Sequence, residues 1–270
     1  MIVDYHMHLR DRHGDEPGGR YLVERLEQYV EQARRAGVDE IGISDHAYHF
    51  RQSERVWDIP WMQNRCGDDL DEYVTAVEEG KRRGLPVKLG LEVDFLPDRV
   101  DDLASLLASY PWDYLLGSVH FVDGHSVDMD PSFGDEAGWR AYFEALAQAA
   151  ASGLFDVLSH PDLVKFFGSR PAPEVLDELH DAAARAIAAA GTCLEVSAAG
   201  LHKPVGEVYP DLALLRRCRA LDVPITLASD AHQPEHVGRD IDRAVAQARA
   251  AGYDTVTVFE GRRRRQEPLG

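Results

Sequence analysis

The feature that most limits how this chain can fold is a repeated alternation: short apolar runs and longer amphipathic segments succeed each other along its whole length. Strand-length apolar runs occupy 1–3, 41–44, 87–91, 114–119, 155–159, 192–196, 224–229 and 255–259. Between them apolar residues recur at helical spacing, most clearly Leu22, Leu26, Tyr29, Val30 and Ala33. Helices are expected over 21–36, 70–83, 100–109, 139–151, 173–190, 212–221 and 241–251. Gly37, Gly84, Gly153 and Gly191 supply stops, and Pro173 opens the fifth helix. Strands separated by helices pair in parallel, because each crossover returns the chain to the same end of the sheet. Seven or eight such units in 270 residues fit one closed α/β barrel better than two open sheets. A doubly wound open sheet is the alternative. No G-x-G-x-x-G follows the first strand, which counts against a dinucleotide-binding sheet. No linker interrupts the pattern, so one domain is expected over 1–261. Residues 262–270, opened by Arg262-Arg263-Arg264-Arg265, are expected to be a solvated basic tail.

Charge and cysteine content narrow the function. A formal net charge of -18 would repel a phosphate backbone, so no long nucleic acid is expected as a partner. The three cysteines, Cys66, Cys193 and Cys218, are widely spaced with no C-x-x-C, as in a reducing cytoplasm. Met1-Ile2-Val3 leads straight into Asp4 without a leader pattern, and no apolar run reaches membrane-spanning length.

The chemistry lies where the strands end. His6 and His8 follow the first run, and alternate residues of a strand share a face. Asp45 and His46, Glu92, His120, His160, and Asp230 with His232 end later runs. In a parallel barrel these ends converge on one face, where active sites are built. A strand-end histidine alone is more commonly a hydrogen-bonded structural group. Recurrence at six strand ends points instead to a joint metal site. The set is too large for one four- to six-coordinate ion, so two or three ions with a bridging carboxylate are expected. Imidazole and carboxylate without thiolate suit zinc, manganese or iron.

His6-Met7-His8, Ser44-Asp45-His46, Gly90 to Phe95 (GLEVDF), Gly117-Ser118-Val119-His120, Ser159-His160-Pro161-Asp162-Leu163 and Ser229-Asp230-Ala231-His232 occur in an order that resembles the PHP (polymerase and histidinol phosphatase) superfamily. The resemblance spans residues 1 to 240. The Glu-Val-Asp-Phe and Gly-Ser-Val-His segments, with Ala199-Gly200-Leu201 and Glu207-Val208-Tyr209-Pro210, are similar to monofunctional histidinol-phosphate phosphatases. It implies a distorted (β/α)7 TIM-like barrel with a trinuclear metal centre. By the same resemblance His6, His8, Glu92 and Asp230 would hold one ion. Glu92, His120 and His160 would hold a second, and His46 and His232 a third. His13 would complete the third site, although it stands one residue nearer His8 than the family spacing; Asp11 or Asp15 could replace it. Ser197 stands where relatives often carry asparagine.

The resulting expectation is hydrolysis of a small phosphate monoester by in-line attack of a metal-bridging hydroxide, with Glu92, Asp230 and His232 as the catalytic groups. Asp128-Met129-Asp130 has the D-x-D spacing of an aspartyl-phosphate enzyme but falls in a loop. Lys203, Arg170 and Lys165 are the expected phosphate contacts. The segment 48–67, with Trp57 and Trp61, is a candidate lid. His49 and His202 are weaker candidates for substrate contact. His125 and His236 read as loop residues, and His180 as the exposed face of a helix. A nucleotide or short-oligonucleotide phosphoesterase and a non-catalytic metal-binding module are the rival readings. Oligomeric state is not legible in the sequence.

Overall fold

The computed structural model describes residues 1–11 and 20–270. Its parallel strands form two sheets. The first runs β1 (Val3–Asp4), β2 (Glu40–Ile43), β3 (Val87–Leu89). The second contains β4 (Glu92–Asp94), β5 (Leu116–Ser118), β8 (Val157–Leu158), β9 (Cys193–Ser197) and β10 (Ile225–Ala228), in that spatial order. Two seams close them into one barrel. At the first, Tyr5 N–H donates to Leu227 O at 2.9 Å and His8 N–H to Ala231 O at 2.8 Å, joining the first strand to the last. At the second, β3 and β4 are successive halves of one stave. β3 pairs with β2, and after Gly90-Leu91 the chain re-enters as β4 and pairs with β5. Glu92 N–H still reaches Asp45 O at 3.1 Å. The result is the expected seven-staved barrel, distorted where the third stave breaks.

Packing inside the barrel accounts for two of its glycines. A Cβ at Gly42 would fall 2.3 Å from the Tyr114 hydroxyl, and one at Gly90 2.4 Å from the Tyr114 ring. That ring stacks on Tyr5 at 5.1 Å and donates its hydroxyl to Tyr5 O at 2.7 Å. Glycines on two neighbouring staves therefore leave room for an aromatic plug.

The outer layer consists of α1 (Val23–Arg35), α2 (Pro60–Gln63), α3 (Leu70–Arg82), α4 (Val100–Leu107), α5 (Glu136–Ala151), α6 (Pro173–Ala190), α7 (Leu212–Ala220) and α8 (Ile241–Ala250). α6 spans the expected residues, with Pro173 in its first turn and Gly191 left-handed at φ 70° as its cap. α5 begins three residues before the expected 139 because Asp135 caps it, accepting from Gly138 N–H at 2.8 Å. His180 corrects the sequence reading: it is buried, packed at 5.8 Å from the Phe143 ring of α5.

The C-terminal arginines are also corrected. Residues Arg263–Pro268 form β12, antiparallel to β11 (Thr255–Glu260), so the run is a paired strand with exposed arginine side chains rather than a tail. Arg262 Nε donates to Asp156 at 2.9 Å and its N–H to Asp113 O at 2.8 Å. Arg264 reaches Gly191 O at 2.5 Å. Asp113, Asp156 and Gly191 lie one to three residues before β5, β8 and β9, so the hairpin clasps the end of the barrel where the strands begin. The opposite end carries a second hairpin, β6 (Phe121–Val122) and β7 (His125–Ser126). Its two-residue turn, Asp123-Gly124, has φ of 50° and 78°, which suits Asp-Gly. No helix among the described residues is long and apolar enough to cross a membrane.

Candidate metal centre

Glu92 opens β4 with its carboxylate wholly buried, and histidines from the neighbouring staves surround it. Glu92 Oε2 lies 3.1 Å from His6 Nε2, 3.6 Å from His8 Nε2 and 2.7 Å from His46 Nδ1. Glu92 Oε1 lies 3.1 Å from His160 Nε2 and 3.5 Å from His120 Nε2. Asp230 Oδ1 faces the other side of the first pair, 3.2 Å from His8 Nε2 and 3.7 Å from His6 Nε2. The His8 ring lies between His46 and His232, with centroids 4.3 and 4.1 Å away.

Two of the expected ligands sit in left-handed backbone, His160 at φ 25° and Asp230 at φ 54°. Such backbone is strained for a non-glycine residue by about 1–3 kcal/mol and persists only where neighbours hold it. Glu195 Oε1 accepts from His160 N–H at 3.0 Å. Asp4, buried at the end of β1, accepts from Ser229 N–H at 2.8 Å and Gly238 N–H at 2.9 Å, fixing the turn that presents Asp230.

Further carboxylates orient the rings. Glu195 Oε2 is 2.9 Å from His6 Nδ1, and Asp94 Oδ1 is 2.8 Å from His120 Nδ1. A carboxylate can only accept, so each Nδ1 carries a proton, and each Nε2 facing Glu92 can take a metal once any proton of its own is displaced. His232 Nδ1 similarly meets Asp230 O at 3.0 Å, leaving Nε2 as its acceptor.

A metal fits this donor set. His6 Nε2, His46 Nδ1 and Glu92 Oε2 are buried without a hydrogen bond, although they converge. Imidazole nitrogens this close to a carboxylate need a positive charge among them, a proton in the metal-free protein or a metal ion in its place. Three triads bring one donor atom from each member within 4.8 Å of the others: His6, His8 and Glu92; His46, Glu92 and His120; and His8, His46 and His232.

Electrostatics in the metal-free protein agree. Burial raises the Glu92 pKa, but His46, His6 and His120 outweigh it and hold the carboxyl well below the usual range. Asp230 is likewise held down, against burial, by His6 and His232. Burial opposes protonation of His6, yet Glu92, Glu195 and Asp230 carry it well above an ordinary imidazole. His120 is pushed up to about 10 against burial, by Asp94 and Glu92. His8 goes the other way, lowered by burial and by His232 and His46.

A cavity of ≈ 140 Å³ opens over the cluster. Besides ligands it is lined by Tyr48, Trp61, Phe121, Asp128, Met129 and Lys203. Trp61 belongs to the segment read as a candidate lid and packs on Phe121 at 5.5 Å. Of the three expected phosphate contacts, Lys203 alone lines the cavity. Lys165 is fully buried, 2.9 Å from both Asp162 and Val208 O. Arg170 is bound to Glu207 at 2.5 Å. His202 pairs with Asp240 at 2.7 Å. His49 is half-buried with its ring 5.6 Å from His46, and it does not line the cavity. His13 and Asp15 lie outside the described residues, and Asp11 is paired with Arg20 at 3.0 Å. The sequence reading assigned no role to Glu195, Asp94 or Asp4. Their common signal is a charged residue inside an otherwise apolar strand run.

The fold and cluster define a parallel β/α-barrel protein with a buried cluster of histidines around one carboxylate, of a kind that could hold metal ions. Residues 23–199 match the model of the PHP domain family, and the chain belongs to that family. It is 36% identical over 251 residues to a probable histidinol-phosphatase of Deinococcus radiodurans, covering 89% of this chain and 92% of that one. It is 26% identical to a histidinol-phosphatase of Bacillus subtilis, over 79% of this chain and 89% of the relative. The histidinol phosphate phosphatase of Lactococcus lactis, solved with zinc, L-histidinol and phosphate, superposes with a TM-score of 0.76 over 98% of both chains. At 20% identity that likeness establishes the fold.

Proposed function

We propose that this chain is a metal-dependent phosphatase that converts L-histidinol phosphate and water to L-histidinol and phosphate. The observation that carries the chemistry is the set of imidazole nitrogens converging on buried Glu92, beneath a cavity with Lys203 in its wall. The choice of substrate is supported by the 36%-identical relative from Deinococcus radiodurans.

His6, His8, Glu92 and Asp230 would hold one divalent ion, and Glu92, His120 and His160 a second. His46 and His232 would hold a third, with His8 stacked between them. Zinc, manganese or iron held there supplies Lewis acidity and positive charge toward phosphoryl oxygens. The protein does the rest. Glu195 and Asp94 keep the protons of His6 and His120 on Nδ1, away from the cluster. Lys203 adds a cation that draws the phosphate into an otherwise acidic chain. Trp61 and Phe121 wall off one side from water. Free thiols and a phosphorylated metabolite as substrate fit a cytoplasmic enzyme.

Phosphate release from L-histidinol phosphate, nucleoside monophosphates and short oligonucleotides tests the reading. L-Histidinol phosphate should be preferred by at least about 100-fold in kcat/KM. A preference for nucleotides would overturn the substrate assignment.

A further inference from the structure

Among the described residues lining the cavity, Asp128 is the one carboxylate outside the proposed ligand set. It follows the β6–β7 hairpin and is half-buried. Ser126 Oγ–H donates to its Oδ1 at 2.9 Å, and Met129 N–H donates back to Ser126 Oγ at 3.2 Å. The carboxylate is thus held by a local turn, and among the described residues no ion pair engages it. This loop holds the D-x-D spacing that the hydrolytic chemistry leaves unused.

An uncompensated carboxylate in a cavity that admits a phosphate dianion weakens binding of any purely anionic ester. Its placement is directional. Lys203 follows β9, whose neighbour β10 leads into Asp230 and His232. Asp128 follows the hairpin that continues β5 and His120, two staves from β9. The positive and negative side chains therefore flank different parts of the cluster. Beside them Trp61 and Phe121 offer an apolar wall, and one face of Trp61 is already covered by the Arg65 guanidinium at 3.5 Å. A bipolar cavity of this kind matches a ligand with a phosphate at one end, an apolar middle and a cation.

We propose that Asp128 receives the ammonium group of an amino-alcohol phosphate monoester, so that the cavity selects zwitterionic over purely anionic esters. The proposal rests on the phosphatase reading above. Discrimination arises because an ester lacking the amine leaves the carboxylate desolvated and unpaired.

The test compares the metal-loaded enzyme on L-histidinol phosphate and on its deamino analogue, the same imidazole-propyl phosphate without the amine. Wild type should favour the amine ester by about 10- to 100-fold in kcat/KM, the worth of one charge-assisted hydrogen bond. In Asp128→Asn that ratio should fall toward one, chiefly through KM on the amine ester. An unchanged ratio in the variant would overturn the proposal. Equal handling of the two esters by wild type would do so without any variant. If p-nitrophenyl phosphate is hydrolysed but L-histidinol phosphate is not, the substrate reading fails by itself. The amine contrast is then read on phosphoethanolamine against glycerol 2-phosphate, where a wild-type preference for the amine supports the proposal and equality overturns it.

Discussion

Glu195 Oε2 lies 2.9 Å from His6 Nδ1, across 189 residues of sequence. The same carboxylate holds His160 through its backbone N–H at 3.0 Å. One buried side chain on β9 therefore sets the ring of one proposed ligand and the strained backbone of another.

Glu195→Gln should for that reason weaken the centre without touching it. Glutamine can donate to His6 Nδ1 and force the proton onto Nε2, which faces Glu92. Metal affinity should fall about 10- to 100-fold, and kcat should recover at saturating metal. Titration of the metal-free variant with zinc reads this; wild-type affinity would remove Glu195 from the role.

The raised pKa values of His6 and His120 govern how metal binding depends on pH. Their folded values lie above the ordinary imidazole range, with His120 at about 10. Metal-free protein at pH 7.5 therefore holds protons on both rings. A metal must displace them, so affinity rises with pH and binding releases protons. Calorimetry in buffers of different ionisation enthalpy should find about one to two protons released at pH 7.5. No release would mean that both rings are already neutral.

Two lysines that looked alike should separate. Lys203→Ala should lower kcat/KM more than about tenfold and leave the melting curve near wild type. Lys165→Ala removes the buried partner of Asp162, 2.9 Å away, and should cost about 3–5 kcal/mol in urea unfolding. The reverse pattern would return Lys165 to the phosphate site.

Gly90→Ala would press a methyl group to 2.4 Å from Tyr114, two residues before Glu92. Overpacking of this kind costs about 1–3 kcal/mol. The β3–β4 break must shift to relieve it, so metal affinity should fall together with stability. A variant with unchanged stability and affinity would show that the break tolerates more than the plug allows.

Most of the barrel was legible because burial on both faces of a parallel strand leaves an unbroken apolar run, and each helix between carries its own stripe. The proposed ligands were legible because strand ends are where such a run meets a polar residue. Glu195 was not, since it sits within the run Leu194–Val196 and a short motif cannot say which buried carboxylate meets a histidine from β1. The Arg262–Arg265 run looked like a tail because composition records charge, whereas the antiparallel pairing of β12 with β11 depends on backbone groups. His180 was counted as polar in the helical pattern, yet its ring packs on Phe143. Lys165 had a local signal that was missed: Asp162 stands three residues before it.

The most direct measurement is phosphate release from L-histidinol phosphate by protein stripped with a strong chelator and then titrated with zinc or manganese. Stripped protein should be inactive, and activity should return as two to three equivalents bind. Full activity in the stripped state would contradict a metal centre built around Glu92.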